Sequence, residues 1–435
     1  MKARAMWWYA LGVIAWWLVN PEIRRLVDWK VGFNSVSLIS GIPLALLLPF
    51  WYDVLVRGAW RRLPLPMLLA AWCWVGAFVY SFAIALVGNR LAPGAYVFAD
   101  FMLPLGVGLW VATRDEISAD DALQRILRVV FAGATVLGIY GIIQYVIVPP
   151  WDAYWMTNAA INSIGKPLPF QVRVFSMLNS AGPFGNFMFF ALALATPKLS
   201  LKRPWLLAQV AVWIGAFALS SDRSGWLAYA VSLAVYFVLS PRRVAAMRAA
   251  VLMAALAIVM TLSLSALTGS TAATQSVVNR FSTLGDVGND VSARDRQNQY
   301  AGAIADFEEV PVGQGLGLIS NAGKLGNTGQ AGDLLDSGIF ARLLEMGAIG
   351  GALFYIGLFI PLGTSLAGWM AASRSGDKDA ATSLAMAVGV LVASLSLQIS
   401  GDTGRGLTGM FTWIVCAYVT RRVAMRRATL AIVTA

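Results

Sequence analysis

Residues 65–88 read LPMLLAAWCWVGAFVYSFAIALVG, a stretch without one charged side chain. An apolar helix of about 20 residues crosses the ~30 Å hydrocarbon core of a bilayer. Arg57, Arg61 and Arg62 stand before this stretch, and Asn89-Arg90 after it. Comparable runs recur along the chain. They predict twelve spans, at about 6–19, 35–56, 65–88, 92–112, 126–148, 181–197, 204–220, 224–240, 249–267, 338–365, 381–399 and 406–420. Composition agrees: of 435 residues, 58% are hydrophobic and 13% charged, with a mean hydropathy of +0.68. A soluble domain carries about 25% charged residues. The expected fold class is therefore all-α, a polytopic membrane protein forming one integral membrane domain over residues 1–435.

The net charge of +11 lies in short clusters between apolar runs. That placement sets membrane topology and argues against nucleic acid as a partner. With the N-terminus inside, Lys2, Arg4, Arg57, Arg61, Arg62, Arg114, Arg125 and Arg128 gather on one side, with the later clusters through Arg427. The short loops of the other side hold Arg24, Arg25, Lys30, Arg90, Arg223 and Arg405. The positive-inside rule then puts both termini in the cytoplasm. Two long loops, 149–180 and 268–337, fall outside; the second has helical spacing over Asp295–Phe307. Met1-Lys2-Ala3-Arg4 opens a first membrane helix rather than a cleavable signal, and Asn20-Pro21 follows that helix. Cys73 and Cys416 lie in apolar runs and read as core residues. The Trp and Tyr clusters suit interfacial belts, while Trp151, Tyr154 and Trp155 could serve either as a belt or as a sugar-stacking platform.

The chain has no histidine. Ser-His-Asp and Cys-His catalysis and His-based zinc sites are thereby excluded. Val312-Gly-Gln-Gly-Leu-Gly317 has no strand before it, so a dinucleotide fold is not expected; its N–H groups could approach a ligand or a helix end. Arginines on the outer face are more informative, because one near membrane depth is either paired internally or awaits an anion. Arg173, Arg223, Arg294 and Arg296 are the candidates, since a guanidinium fork suits phosphate. Asp222 and Asp295 are the competing internal partners, and for Arg294 the internal pair is favoured. Arg342 and Glu345, spaced i, i+3, are expected to neutralise each other. Asp336 could be a general base or a helix N-cap. Asp100 is a second acid within a span, without an identified partner.

Three segments together resemble the bacterial O-antigen ligase and O-antigen/exopolysaccharide polymerase superfamily, over roughly residues 170–350. They are Arg173-Val-Phe-Ser-Met-Leu-Asn-Ser-Ala-Gly-Pro-Phe-Gly185, Ser221-Asp-Arg-Ser-Gly-Trp-Leu227, and a third set running from Arg296-Gln-Asn-Gln-Tyr300 through Pro311–Gly317 to Asp336-Ser-Gly338 and Leu343–Gly350. The resemblance implies a membrane glycosyltransferase of GT-C-like architecture, with a long periplasmic loop containing short helices. It implies an undecaprenyl-diphosphate-linked oligosaccharide as donor, a glycan or lipid-linked glycan as acceptor, and the bacterial inner membrane as location, with a periplasmic active site. Carried over by position, Arg223 and Arg296 would hold the diphosphate, with Arg173 and Arg294 as further candidates. No metal or cofactor is expected, inversion at the anomeric carbon is, and a chain-length regulator is an admissible partner. Ligases of the family typically have His where this chain has Asp336, which favours a polysaccharide polymerase. An O-antigen ligase is the alternative; a lipid-glycan flippase is less favoured, because the charges crowd one face and no repeat is visible.

Overall fold

The computed structural model describes residues 3–159, 162–268, 291–319, 325, 337–399, 401–402 and 404–434. Among them every extended regular element is helical; the one strand-like pairing is an isolated antiparallel bridge between Gly165 and Val172. The α-helices are α1 (Ala3–Val31), α2 (Ile42–Ala45), α3 (Leu48–Leu55), α4 (Leu65–Val87), α5 (Leu91–Ala112), α6 (Ala119–Ile147), α7 (Pro150–Ala159) and α8 (Ala181–Ala195). They continue as α9 (Pro204–Leu219), α10 (Arg223–Leu239), α11 (Arg243–Thr268), α12 (Val291–Glu309), α13 (Gly338–Arg374), α14 (Lys378–Leu397) and α15 (Gly406–Thr434).

Among the described residues, six helical segments are long and apolar enough to cross a membrane: Leu38–Leu55, Leu65–Val87, Leu91–Ala112, Ala119–Ile147, Gly338–Arg374 and Lys378–Leu397. Pro204–Leu219 and Arg223–Leu239 are shorter apolar helices. Leu38–Leu55 is a stack of short helices, restarted by Pro43 and Pro49 in the first turns of α2 and α3. Several boundaries differ from the sequence expectation; α13 runs on to Arg374 and α15 to Thr434. The outer helix foreseen over Asp295–Phe307 extends over all of α12. The first helix does not stop near residue 19 but runs through Pro21 to Val31. Its polar stretch looked like a loop, yet Arg24 pairs with Asp28 one turn on at 3.4 Å, and Glu22 and Arg25 are buried against α7.

The chain forms two compact units, one of residues 1–46 and 123–286, the other of 47–122 and 287–435. In the first, α6 offers small residues to its neighbours. A Cβ on Gly133 would stand 2.4 Å from Leu18 Cδ1, and one on Gly141 2.7 Å from Val174 Cγ1. Such residues let helix backbones approach where lipid removes the hydrophobic drive for association. Trp213 on α9 spends its N–H on Thr135 Oγ1 at 3.0 Å, so the ring is buried without an orphan donor.

In the second unit α4 packs along α13, and α5 along α15. Trp74 stacks on Phe354 at 4.4 Å and meets Trp413 edge-on at 5.0 Å; Phe78 and Phe101 complete the cluster. At the far end of α5, Arg421 donates to the carbonyls of Val111, Arg114 and Ile117, satisfying groups that a helix terminus leaves open.

One helix of this unit is broken. Gly347 inside α13 has φ 63° and ψ −169°, a region that only glycine visits readily. A Cβ there would lie 2.4 Å from the Val312 carbonyl oxygen, and Gly313 presses back with its own Cβ position 2.4 Å from Gly347 N. Gly347→Ala is expected to cost roughly 3 kcal/mol or more, from backbone strain and overpacking together. Thermal unfolding of the purified variant measures it; an unchanged midpoint would mean the break relaxes freely.

Candidate functional site

The polar glycine run of the sequence ends at this break. Gln314 N donates to the Leu344 carbonyl at 2.7 Å and Gly315 N to that of Glu345 at 2.9 Å, while Ala348 N reaches the Pro311 carbonyl at 2.8 Å. The run therefore satisfies a helix end, the second of the two roles its composition allowed. Arg90 donates to the Gln314 carbonyl, Tyr80 Oη to that of Val312 at 2.8 Å, and Ser81 Oγ to that of Glu345 at 2.7 Å.

Beside the run lies an ionic cluster. Glu345 is wholly buried and Arg342 is 3% exposed. They pair at 2.7 Å, as their i, i+3 spacing foretold. Each also has a second partner. Glu345 Oε1 accepts from Gly317 N at 2.9 Å and Ile319 N at 3.3 Å. Arg342 Nη2 reaches Asp402 Oδ2 at 3.3 Å, with its guanidinium 4.8 Å above the Phe101 ring. Asp100 acquires its missing neighbours here, within Coulombic reach of Arg405, Asp402 and Arg342. Asp402 carried no weight in the sequence reading, although Gly401-Asp-Thr-Gly-Arg-Gly406 is a polar, glycine-rich link between two apolar stretches.

In the first unit Arg173 braces a turn. Its Nη1 donates to the Ser163 carbonyl at 2.8 Å and its Nη2 to that of Ser221 at 3.0 Å, with Nε 3.4 Å from the Ser220 carbonyl. Ser221 takes a left-handed φ of 50°, which is uncommon outside glycine and turns the chain sharply into α10. Arg223 is the first residue of that helix and is half-buried. Asp222 between them is buried and holds Ser224 Oγ at 2.6 Å. Burial pushes its carboxyl up; the Ser224 hydrogen bond and the charge of Arg173 oppose the shift. Two of the predicted arginines thus share one turn. Arg294 and Arg296 stand in the opening turns of α12; their side chains, and Asp336 altogether, lie outside the described residues.

A second ionic network of this unit was not foreseen. Arg25, counted from the sequence as a loop charge, is 1% exposed. Its Nε lies 2.9 Å from both Glu22 Oε2 and Asp152 Oδ1, and its two Nη groups reach the carbonyls of Leu178 at 2.7 Å and Ser176 at 2.6 Å. Tyr140 Oη lies between the carboxylates, 2.9 Å from Asp152 Oδ2, and accepts from Trp151 Nε1 at 2.8 Å. Trp155 is buried against Phe175 and the Arg25 guanidinium. Trp151 and Trp155 therefore both serve this network, and the buried Trp155 offers no open platform.

Asp152 sits on α7, and burial raises its carboxyl to about 6; Arg25 opposes the shift, Glu22 adds to it, and Gln144 and Tyr140 donate against it. A raised acid favours the folded state while protonated. That contribution is whole below the ordinary value of 3.8 and is lost as pH rises through about 6. Asp152→Asn should therefore gain in melting temperature relative to the unsubstituted protein as pH rises from about 4 to about 6, and level off above. A constant difference across that range would count against the shift.

The class defined by these features is an all-helical membrane protein whose polar groups gather at helix ends. Residues 208–355 match the family model described as O-antigen ligase, and that match supports the O-antigen ligase and polymerase superfamily. It runs from within α9, across the Arg223 turn, α12 and the glycine run, to just past the break at Gly347. No curated protein gives a significant match to the chain.

Proposed function

We propose that the protein is a polysaccharide polymerase: an inner-membrane glycosyltransferase acting at the periplasmic face on undecaprenyl-diphosphate-linked glycan. The observation that carries this reading is the braced turn, where Arg173 fixes the Ser220–Ser221 carbonyls and α10 begins with Arg223, inside a segment matching the O-antigen ligase model. A guanidinium at a helix N-terminus adds its charge to the positive end of the helix dipole, which suits a diphosphate. Arg223 and Arg296 are the assigned diphosphate ligands, with Arg173 and Arg294 as further candidates. Twelve spans and cytoplasmic termini complete the proposed topology.

In the reaction, an acceptor hydroxyl oxygen attacks the anomeric carbon of the donor and forms the new glycosidic bond. The bond from that carbon to the diphosphate breaks, and the diphosphate leaves with the electron pair. Asp336 takes the hydroxyl proton. Charge stabilisation by arginine supplies the electrophilic assistance, and a single displacement inverts the anomeric centre. The ligase reading has one observation of its own, the description of the family model.

Expression in a polymerase-null and in a ligase-null strain separates the two. Restored chain length in the first alone supports the polymerase; restored attachment to lipid A-core in the second alone replaces it with the ligase. Asp336→Asn is expected to lower turnover about 100-fold, within the range for general-base removal. Unchanged turnover would remove Asp336 from the catalytic assignment.

A further inference from the structure

We propose that Arg342 is a positioning residue of this transferase: its guanidinium, held between Glu345 and Asp402, fixes the 312–319 loop and the chain after α14, at Ile399 and Asp402, on the opening turns of α13. The proposal rests on the transferase reading. The ion pair expected from i, i+3 spacing needs no third member and no loop. Here the pair is the centre of a larger assembly. One face of Glu345 takes Arg342 at 2.7 Å, while its other oxygen holds the N–H groups of Gly317 and Ile319. The far side of Arg342 holds Asp402 at 3.3 Å, and Asp402 Oδ1 in turn accepts from Gly404 N at 3.3 Å.

The backbone closes the assembly. Ile339 N donates to the Gln398 carbonyl at 3.0 Å, and a Cβ on Gly338 would stand 2.1 Å from the Gly401 carbonyl oxygen. The helix that carries Arg294 and Arg296 lands on the same turns. Tyr300 packs on Phe340 at 4.8 Å and donates to the Ile399 carbonyl at 3.1 Å; Ala303, Ile319, Ala341 and Leu344 bury one another beneath. Three segments of chain thus converge on α13 between Gly338 and Gly347. Arg342 pairs with an acid on each side of this junction, Glu345 towards the loop and Asp402 towards the turn, and Arg405 adds its charge to both acids.

A clamp of this kind acts on geometry rather than on substrate. Misplacing a reacting group by about 1 Å can cost about 100-fold in rate, so loosening the clamp should lower kcat more than it raises KM. The test uses the full-length protein in lipid nanodiscs, with two readouts on Arg342→Met and Arg342→Lys. The first is hydrogen–deuterium exchange over 312–319. The second is turnover of undecaprenyl-diphosphate-linked oligosaccharide. For Arg342→Met we expect exchange at least tenfold faster over 312–319, kcat lowered tenfold or more, and KM for the donor within about twofold of the unsubstituted protein. Arg342→Lys should recover most of both.

Unchanged exchange in Arg342→Met overturns the clamp. Faster exchange with unchanged kcat overturns its bearing on the reaction and leaves a structural bond. If Arg342→Met does not fold, Glu345→Gln keeps the shape while weakening the grip on Arg342 and on Gly317 N, and the same two outcomes decide. Should the unsubstituted protein fail to turn over this donor, the transferase reading falls and with it the positioning role, while the exchange measurement still decides whether the clamp exists.

Discussion

Arg223→Ala is expected to lower glycan transfer by about 100- to 1,000-fold, the loss typical of removing one preorganised charge stabiliser. The leaving diphosphate gathers negative charge as its bond to the anomeric carbon breaks. Under the proposed assignment the Arg223 guanidinium stands at that place before the reaction and does not have to reorganise, so its contribution falls on the transition state. The turn around Arg223 keeps its own supports when the side chain is removed. Arg173 still holds the Ser220 and Ser221 carbonyls, and Ser224 still bonds Asp222. Arg223→Lys should retain part of the activity, because an ammonium keeps the charge and loses the two-oxygen fork. Full-length polymer from Arg223→Ala, at normal expression, would remove Arg223 from the diphosphate assignment.

Arg25→Met is expected to have the largest effect on stability, about 3–5 kcal/mol, the range for breaking a buried ion pair from one side. Methionine fills much of the space but leaves two carboxylates, Glu22 and Asp152, without their shared cation. It also strips the Ser176 and Leu178 carbonyls of their donor. Those carbonyls belong to the segment that leads from Arg173 into α8, so the damage should spread to the braced turn. Arg25→Met combined with Asp152→Asn should recover part of the loss, since one stranded charge is then gone. Melting curves of the single and double variants in detergent measure both effects. A single variant as stable as the unsubstituted protein would show that water reaches the network and solvates it.

Much of this architecture was legible because its causes are local. Apolar runs place helices over every predicted stretch, and Arg342–Glu345 follows from helical spacing alone. The glycine run was legible as a place where N–H groups approach a helix end, though not which helix, because its partner at Leu344–Ala348 is reached only through the fold. The first helix was read too short for a related reason. Asn20, Pro21, Glu22, Arg24 and Arg25 look like loop residues when their cost is counted against water or lipid. Arg25 spans more than a hundred residues to reach Asp152, Ser176 and Leu178, and sequence spacing carries no trace of those partners.

By itself, the sequence determined that this is an all-helical membrane protein without histidine chemistry, since hydropathy and residue type act without reference to distant partners. It also placed Arg223 at the start of a helix. The tertiary structure decided what the charged groups do. Arg173 braces a turn, Arg342 joins Glu345 to Asp402, and Arg25 is buried where loop charge was expected. The physical reason is that a charge withdrawn from water must be met by specific oxygens or N–H groups, and only the folded chain brings those groups within reach.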